Sequence, residues 1–197
     1  MRLLNYTAAL FVLSLGLTVA AQEPPAPAGP KPGDKAPVFS AIDQDGRLWQ
    51  FEAQTGKKKY TVIYFYPAAM SGGCTKQACS FRDRAASGAD IDMEVIGISG
   101  DSPSSLKFFQ QVNNLNFTLL SDPDGAAAKL YGVPVKKEAR SITRQVDGKE
   151  VTLERSVTAA RWTFILDREG KIIYRDTAVK AADDLNAVIA FIRKIEG

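Results

Sequence analysis

Two thiols set the chemistry open to this chain. Cys74 and Cys79 are its only cysteines, and both lie in the segment Pro67-Ala68-Ala69-Met70-Ser71-Gly72-Gly73-Cys74-Thr75-Lys76-Gln77-Ala78-Cys79. That segment directly follows the strand-like run from Tyr60 to Tyr66 and opens a helix-like pattern, so Cys74 falls at a strand-to-helix junction. The first N–H groups of a helix lack an intrahelical acceptor and favour an anion. The thiolate is the nucleophilic form of cysteine, so this position suits a reactive thiol rather than a merely buried one. The chain has no histidine. This removes Ser-His-Asp and Cys-His catalysis and every His-ligated metal site. Two cysteines alone are too few for structural zinc. Activation therefore falls to a helix terminus, an Arg or Lys, or a hydroxyl.

The elements that must hold these thiols alternate. Val38 to Ala41 and Leu48 to Phe51 flank Asp43-Gln44-Asp45-Gly46 and read as a hairpin. After the strand Tyr60 to Tyr66, a helix is expected from about Gly73 to Ala86, then a buried strand Met93 to Ser99. Pro103 suits the first position of the next helix. A strand over Phe117 to Leu120 and a short helix ending near Tyr131 follow. Arg144 to Leu153 reads as a hairpin around Asp147-Gly148. Ala160 to Leu166 and Lys171 to Arg175 pair across Asp167-Arg168-Glu169-Gly170. The last helix, Ala182 to Ile195, places Leu185, Val188, Ile189 and Ile192 on one face. Such alternation predicts an α/β fold with a mixed sheet and helices on both faces. Lys57-Lys58-Lys59 reads as a solvated turn, and Trp162, Phe65 and Phe164 as core. Gly97-Ile98-Ser99-Gly100 lacks the last glycine of a nucleophile elbow and has no histidine to serve it.

The first 21 residues read as an export signal: Arg2 precedes an apolar run from Leu10 to Val19 and the small residues Ala20 and Ala21. Cleavage after either alanine fits. The alternative, an uncleaved anchor, asks for a longer span than this run, and Asn5, Tyr6 and Thr7 interrupt the apolar stretch ahead of it. Residues 22–34, rich in Pro, Ala and Gly, read as a tether, and residues 35–197 as one domain. Removing Arg2 with the signal lowers the net charge from +3 to +2, a balance that predicts no nucleic-acid partner and no membrane surface after cleavage. An exported, periplasmic protein is expected.

Several of these landmarks together resemble the peroxiredoxin family. Pro67…Ser71…Cys74 matches its Pro-x-x-x-Thr/Ser-x-x-Cys motif. The spacing of Cys74 and Cys79, Tyr64-Phe65-Tyr66-Pro67 before them and Phe81-Arg82-Asp83 after them resemble its bacterioferritin-comigratory (PrxQ-like) subgroup. Gly33-Asp34-Lys35-Ala36-Pro37 is similar to the family's domain start, and Arg161-Trp162-Thr163-Phe164 to its arginine-bearing hairpin. The likeness spans about residues 33–195. It implies a thioredoxin-like fold, a central mixed sheet flanked by helices with an N-terminal β-hairpin. Two positions depart from the pattern: Gly72 stands where the family usually has Pro, and Gln77 where an acid is common. Gln77 keeps hydrogen-bonding capacity without charge. The segment 135–158 is longer than the family leads one to expect.

The resemblance implies a thiol peroxidase without a cofactor, acting on hydrogen peroxide or organic hydroperoxides. Cys74 would attack the O–O bond, Arg161 would stabilise the thiolate, and Ser71 would donate a hydrogen bond to peroxide or thiolate. Pro67 would shield the site, and the N–H groups of Gly73 and Cys74 would hold the peroxide oxygens. A free thiol, with a pKa of about 8.5, is only a few per cent ionised at pH 7. A helix terminus contributes about 0.3–2 kcal/mol toward the anion. A guanidinium at about 4 Å contributes up to about 4 kcal/mol at an effective dielectric of 20, so the arginine should stabilise the thiolate more than the helix terminus does.

Cys79 is the candidate for resolving the resulting sulfenic acid, as an intramolecular disulfide that a thioredoxin-like donor reduces. Residues five apart on a helix are roughly 8–9 Å apart, and a disulfide needs about 4.4–6.8 Å between Cα atoms, so the helix must unwind. An intramolecular partner predicts a monomer. Arg161 as a snorkelling strand residue, Ser71 as a helix cap only and Pro67 as a strand terminator stay open. So do an exported thiol-disulfide oxidoreductase and a redox sensor or copper carrier, although the chain has neither Cys-x-x-Cys nor histidine.

Overall fold

A computed structural model describes residues 29–84, 91–146 and 148–197. In chain order the elements are β1 (Ser40–Asp43), β2 (Leu48–Gln50), α1 (Phe51–Gln54), β3 (Tyr60–Phe65), α2 (Gly72–Arg82), β4 (Met93–Ser99) and α3 (Pro103–Val112). Then come β5 (Thr118–Ser121), α4 (Ala126–Leu130), β6 (Val135–Val146), β7 (Lys149–Ala159), β8 (Trp162–Leu166), β9 (Ile172–Asp176) and α5 (Asp184–Glu196).

The sequence Tyr-Thr-Val-Ile-Tyr-Phe of β3 is buried along its whole length. A strand apolar on both faces needs cover on both. Alternation supplies two packing surfaces. Val62 and Tyr64 meet Phe81 of α2, Phe109 of α3 and Leu185, Val188 and Ile192 of α5. Ile63 and Phe65 meet Phe39, Trp49, Phe51 and Tyr131 on the other face, where α1 and α4 lie. The sheet runs β2-β1-β5-β4-β3-β8-β9. β4 is parallel to β3 and β5, whereas β8 is antiparallel to β3. The mixed α/β sheet, its flanking helices and the β1–β2 hairpin agree with the fold expected above.

Phe51, read as the end of a strand, instead opens α1 and is buried. Its ring sits 6.3 Å from Trp49 and 5.9 Å from Phe39, and this burial decides where the chain turns. The helix expected to reach Ala86 ends at Arg82, with Asp83 as its C-cap; residues 85–90 lie outside the described residues. The export signal lies there as well, with 22–28 of the tether. The rest of the tether is fastened to the body: Gly33 donates to the Ile172 carbonyl (2.8 Å), and Arg175 donates to the carbonyls of Gly29 (3.2 Å) and Pro30 (3.0 Å). Of the three lysines of the predicted turn, Lys58 pairs with Asp92 (2.9 Å) and Lys59 with Glu196 (2.5 Å).

The hairpin expected at 144–153 is much longer. β6 and β7 pair from Val135↔Ala159 outward as a separate two-stranded ribbon. Its base is tied to the body: Ser102 N–H donates to the Glu154 carbonyl (2.9 Å), Glu154 N–H to Ser105 Oγ (2.8 Å) and Ser156 N–H to the Gly100 carbonyl (3.1 Å). A Cβ on Gly100 would lie 2.2 Å from the Val157 carbonyl oxygen, so only glycine admits the ribbon this close.

Candidate active site

The loop between β3 and α2 is held from below. Asp101, 2 % exposed just past β4, accepts from Ala69 N–H (2.8 Å) and from the Ser99 hydroxyl (2.8 Å). Met70 has φ 59°, a left-handed conformation in a non-glycine residue. Such strain costs of order 1–3 kcal/mol and persists where surrounding structure over-determines it. Asn113 Nδ2 reaches Met70 Sδ at 3.6 Å. Pro67 is half-buried one residue beyond Tyr66, whose N–H still bonds the Ile98 carbonyl (3.0 Å). Pro67 thus stands where the sheet ends and the loop begins.

α2 begins with Ser71 in an extended conformation as N-cap by position, but its side chain makes no cap bond. The Ser71 hydroxyl instead donates to the Ala68 carbonyl (3.0 Å). Neither the thiol contact nor the capping bond considered for Ser71 is made in this state. The hydroxyl closes the loop on itself, and a rotation would free its proton for a ligand. The helical ladder starts with Thr75 N–H to the Ser71 carbonyl (2.8 Å), which leaves the N–H groups of Gly72, Gly73 and Cys74 ahead of it.

Cys74 is 1 % exposed and its thiol is free. Arg161, just before β8, brings Nη2 to 3.2 Å from Cys74 Sγ. Arg161 turns its guanidinium inward onto Cys74 and Gln77, so the snorkelling alternative does not describe it. Its guanidinium lies over the first turn of α2, where a Cβ on Gly73 would meet Nη2 at 3.6 Å.

The guanidinium is itself held. Arg161 Nη1 donates to Gln77 Oε1, and Gln77 Nε2 donates to Asp184 Oδ2 (2.6 Å). The Thr163 hydroxyl donates to the same carboxylate oxygen (2.9 Å). Gln77 and Thr163 are fully buried and Asp184 is 2 % exposed. Burial pushes the Asp184 carboxyl above its ordinary value, and the hydrogen bonds from Gln77 and Thr163 offset part of that. Its other oxygen, Oδ1, is buried without a partner. Because an amide has one acceptor and one donor end, Asp184 fixes which end of Gln77 faces Arg161. The acid common at position 77 is here moved one step back, onto α5. Tyr64, fully buried beneath this chain, keeps its proton: burial, and then the charges of Cys74 and Asp184, push its phenol far up.

Cys79 lies on the same intact helix, half-buried, with a free thiol. Its Sγ is 3.9 Å from Asn113 Oδ1 at the end of α3. Arg82 Nη1 donates to the Asn113 carbonyl (2.6 Å), and Asn116 Nδ2 to the Arg82 carbonyl (3.3 Å). The second half of α2 is thus latched to the α3 terminus, away from Cys74. Asp184 and Asp101 lie outside the motifs read from the sequence, and Thr163 lies within the arginine-bearing hairpin but has no role assigned by it. Asp184 reads in sequence as an acidic residue opening a helix, and only the fold brings it under Gln77.

Residues 32–175 match the AhpC/TSA family model. Peroxiredoxin Bcp of Escherichia coli is 35 % identical over 164 residues, 83 % of this chain and 96 % of that protein. The chloroplastic peroxiredoxin Q of Populus jackii is 47 % identical over 146 residues, 73 % of this chain and 60 % of that one. Among solved structures, peroxidoxin BcpB of Mycobacterium tuberculosis superposes with a TM-score of 0.68 at 30 % identity, covering 85 % of this chain and 99 % of its own. The bacterioferritin comigratory protein of Xanthomonas campestris superposes with 0.63 at 25 % identity, covering 81 % and 92 %. With a thiol, an arginine and a second thiol arranged on this fold, the chain belongs to the AhpC/TSA family and groups within it with the Bcp/PrxQ peroxiredoxins.

Proposed function

We propose that this peroxiredoxin reduces peroxides through Cys74 and resolves the product through Cys79. The observation that carries the reading is Arg161 Nη2 at 3.2 Å from Cys74 Sγ, held there by the buried Gln77–Asp184 pair. A thiolate at Cys74 attacks the terminal oxygen of ROOH. The O–O bond breaks, RO⁻ leaves and takes a proton as ROH, and Cys74 becomes a sulfenic acid. The N–H groups of Gly73 and Cys74, ahead of the helical ladder, are positioned to meet charge developing on the peroxide oxygens. Ser71 rotates from Ala68 to donate to the peroxide, and Pro67 limits the access of water.

The Cys79 thiol then attacks the Cys74 sulfur: the S–S bond forms, the S–O bond breaks, and the departing hydroxide takes the proton given up by the Cys79 thiol and leaves as water. Both cysteines sit on α2, at a separation of roughly 8–9 Å for ideal helix geometry, so α2 must open before they bond. The latch between Arg82, Cys79 and Asn113 is what has to release. A thioredoxin-like dithiol restores both thiols by exchange. We further infer a monomer, since the resolving thiol is in the same chain. A periplasmic location, with residues 1–21 as the cleaved signal, is supported by their composition. Cys79→Ser tests the division of labour. It should consume one equivalent of hydrogen peroxide as fast as the unmodified protein, form no intramolecular disulfide and turn over no thioredoxin. Slow consumption by Cys79→Ser, with fast consumption by Cys74→Ser, would reverse the assignment.

A further inference from the structure

The long β6–β7 ribbon faces the loop that carries Ser71. Between them lies a cleft of about 170 Å³, lined by Met70 and Ser71 on the loop side and Arg140, Ile142, Leu153 and Arg155 on the ribbon side. Arg140 and Arg155 are directly opposite each other in the antiparallel ladder, and so are Ile142 and Leu153. Period-two alternation puts all four on one face. Two like charges facing across a strand pair are destabilising unless something negative lies between them. Arg140 is paired with Glu138. Arg155 has one side-chain hydrogen bond, from Nε to Thr158 Oγ1 (3.1 Å), and no ion pair among the described residues, although its charge reaches the Asp101 carboxylate at the floor of the cleft. The Asp101 carboxylate at the floor is bonded to Ala69 and Ser99. The ribbon is not a loose flap here, because Ser102, Ser105 and Gly100 pin its backbone at Glu154 and Ser156.

We propose that this cleft is a substrate subsite for organic hydroperoxides that carry a carboxylate. The –OOH end would reach Cys74 past Ser71, the carbon chain would lie along Met70, Ile142 and Leu153, and the carboxylate would bridge Arg140 and Arg155. Guanidinium groups bind carboxylates with paired, charge-assisted hydrogen bonds. The inference rests on Cys74 being the peroxide-reducing thiol, and it assigns the ribbon a part in choosing the peroxide.

The test compares a medium-chain ω-hydroperoxy carboxylic acid with its methyl ester. Rates of Cys74 oxidation are divided by each variant's own rate with hydrogen peroxide. The unmodified protein should favour the acid over the ester by about tenfold or more, the scale of one charge-assisted hydrogen bond. Raising the salt concentration should reduce that preference. Arg155→Met and, separately, the more exposed Arg140→Met should each bring the ratio toward one, with thermal melts confirming the fold. Equal rates for acid and ester in the unmodified protein would overturn the subsite. Binding of the corresponding non-peroxidic acid to Cys74→Ser protein, lost in Cys74→Ser/Arg155→Met, separates the subsite from the chemistry. Binding without oxidation by any hydroperoxide would refute the peroxidase reading, and oxidation by hydrogen peroxide without binding would refute the subsite.

Discussion

Replacing Gln77 by Leu tests whether the guanidinium acts by being held. Leucine keeps most of the volume but removes the acceptor facing Arg161 and the donor facing Asp184. At the observed 3.2 Å, a unit charge pair at an effective dielectric of 20 is worth about 5 kcal/mol. If the released guanidinium drifts to about 6 Å the pair is worth about 3 kcal/mol. Felt in the transition state of peroxide attack, a difference of about 2 kcal/mol corresponds to about 30-fold in rate. The loss of two charge-assisted hydrogen bonds costs roughly 1.5–3 kcal/mol each in stability, so a thermal melt must accompany the kinetics. The assay is stopped-flow oxidation by hydrogen peroxide, read by the fluorescence of Trp162 beside Arg161. A rate for Gln77→Leu within about twofold of the unmodified protein, with Arg161→Ala strongly slowed, would refute the claim that Gln77 positions the arginine.

Gly72 opens α2 with space where a Cβ would lie, and Ser71 before it is extended. Proline suits that first helical position, so Gly72→Pro should stabilise the reduced protein by about 0.4–1 kcal/mol, seen as a higher melting temperature. An unchanged or lower value would contradict it. Asp184 has its folded value raised by burial, so its contribution to stability is full below the ordinary carboxylate value of about 3.9 and is lost as pH rises through the folded value. Asp184→Asn removes that loss. Its denaturation midpoint should gain on the unmodified protein as pH rises from about 4 and level off above the folded value, and a gap that narrows with rising pH would contradict the assignment.

The parts of the site that can be seen in the sequence are those fixed by local chemistry. A thiol at the start of a helix after a buried strand is legible because strand, loop and helix are consecutive, and Cys74 stands where that reading puts it. Arg161 is legible through the hairpin that bears it, although it lies one residue outside β8. The support behind it is not. Gln77 can be given hydrogen-bonding capacity but no partners, because Asp184 is 107 residues further along the chain and Thr163 arrives from another strand. Ser71 shows the reverse limit, since a motif names the residue but not where its proton points. The ribbon exceeds the hairpin expected there because polar and charged residues on both of its strands leave little hydrophobic alternation to read. Its anchorage depends on the close approach at Gly100, a contact with no local signature.

Peroxide oxidises Cys74, which is then joined to Cys79 within one chain: on this sequence of events everything proposed for the site depends. Intact-mass and peptide mass spectrometry of the reduced protein after one equivalent of hydrogen peroxide tests it directly. The expected product is a monomer lighter by two hydrogens, with the Cys74 and Cys79 peptides linked, and with a loss of helical circular dichroism as α2 opens. An unchanged mass after reaction times that oxidise a thiolate, or a disulfide found only between two chains, would contradict it.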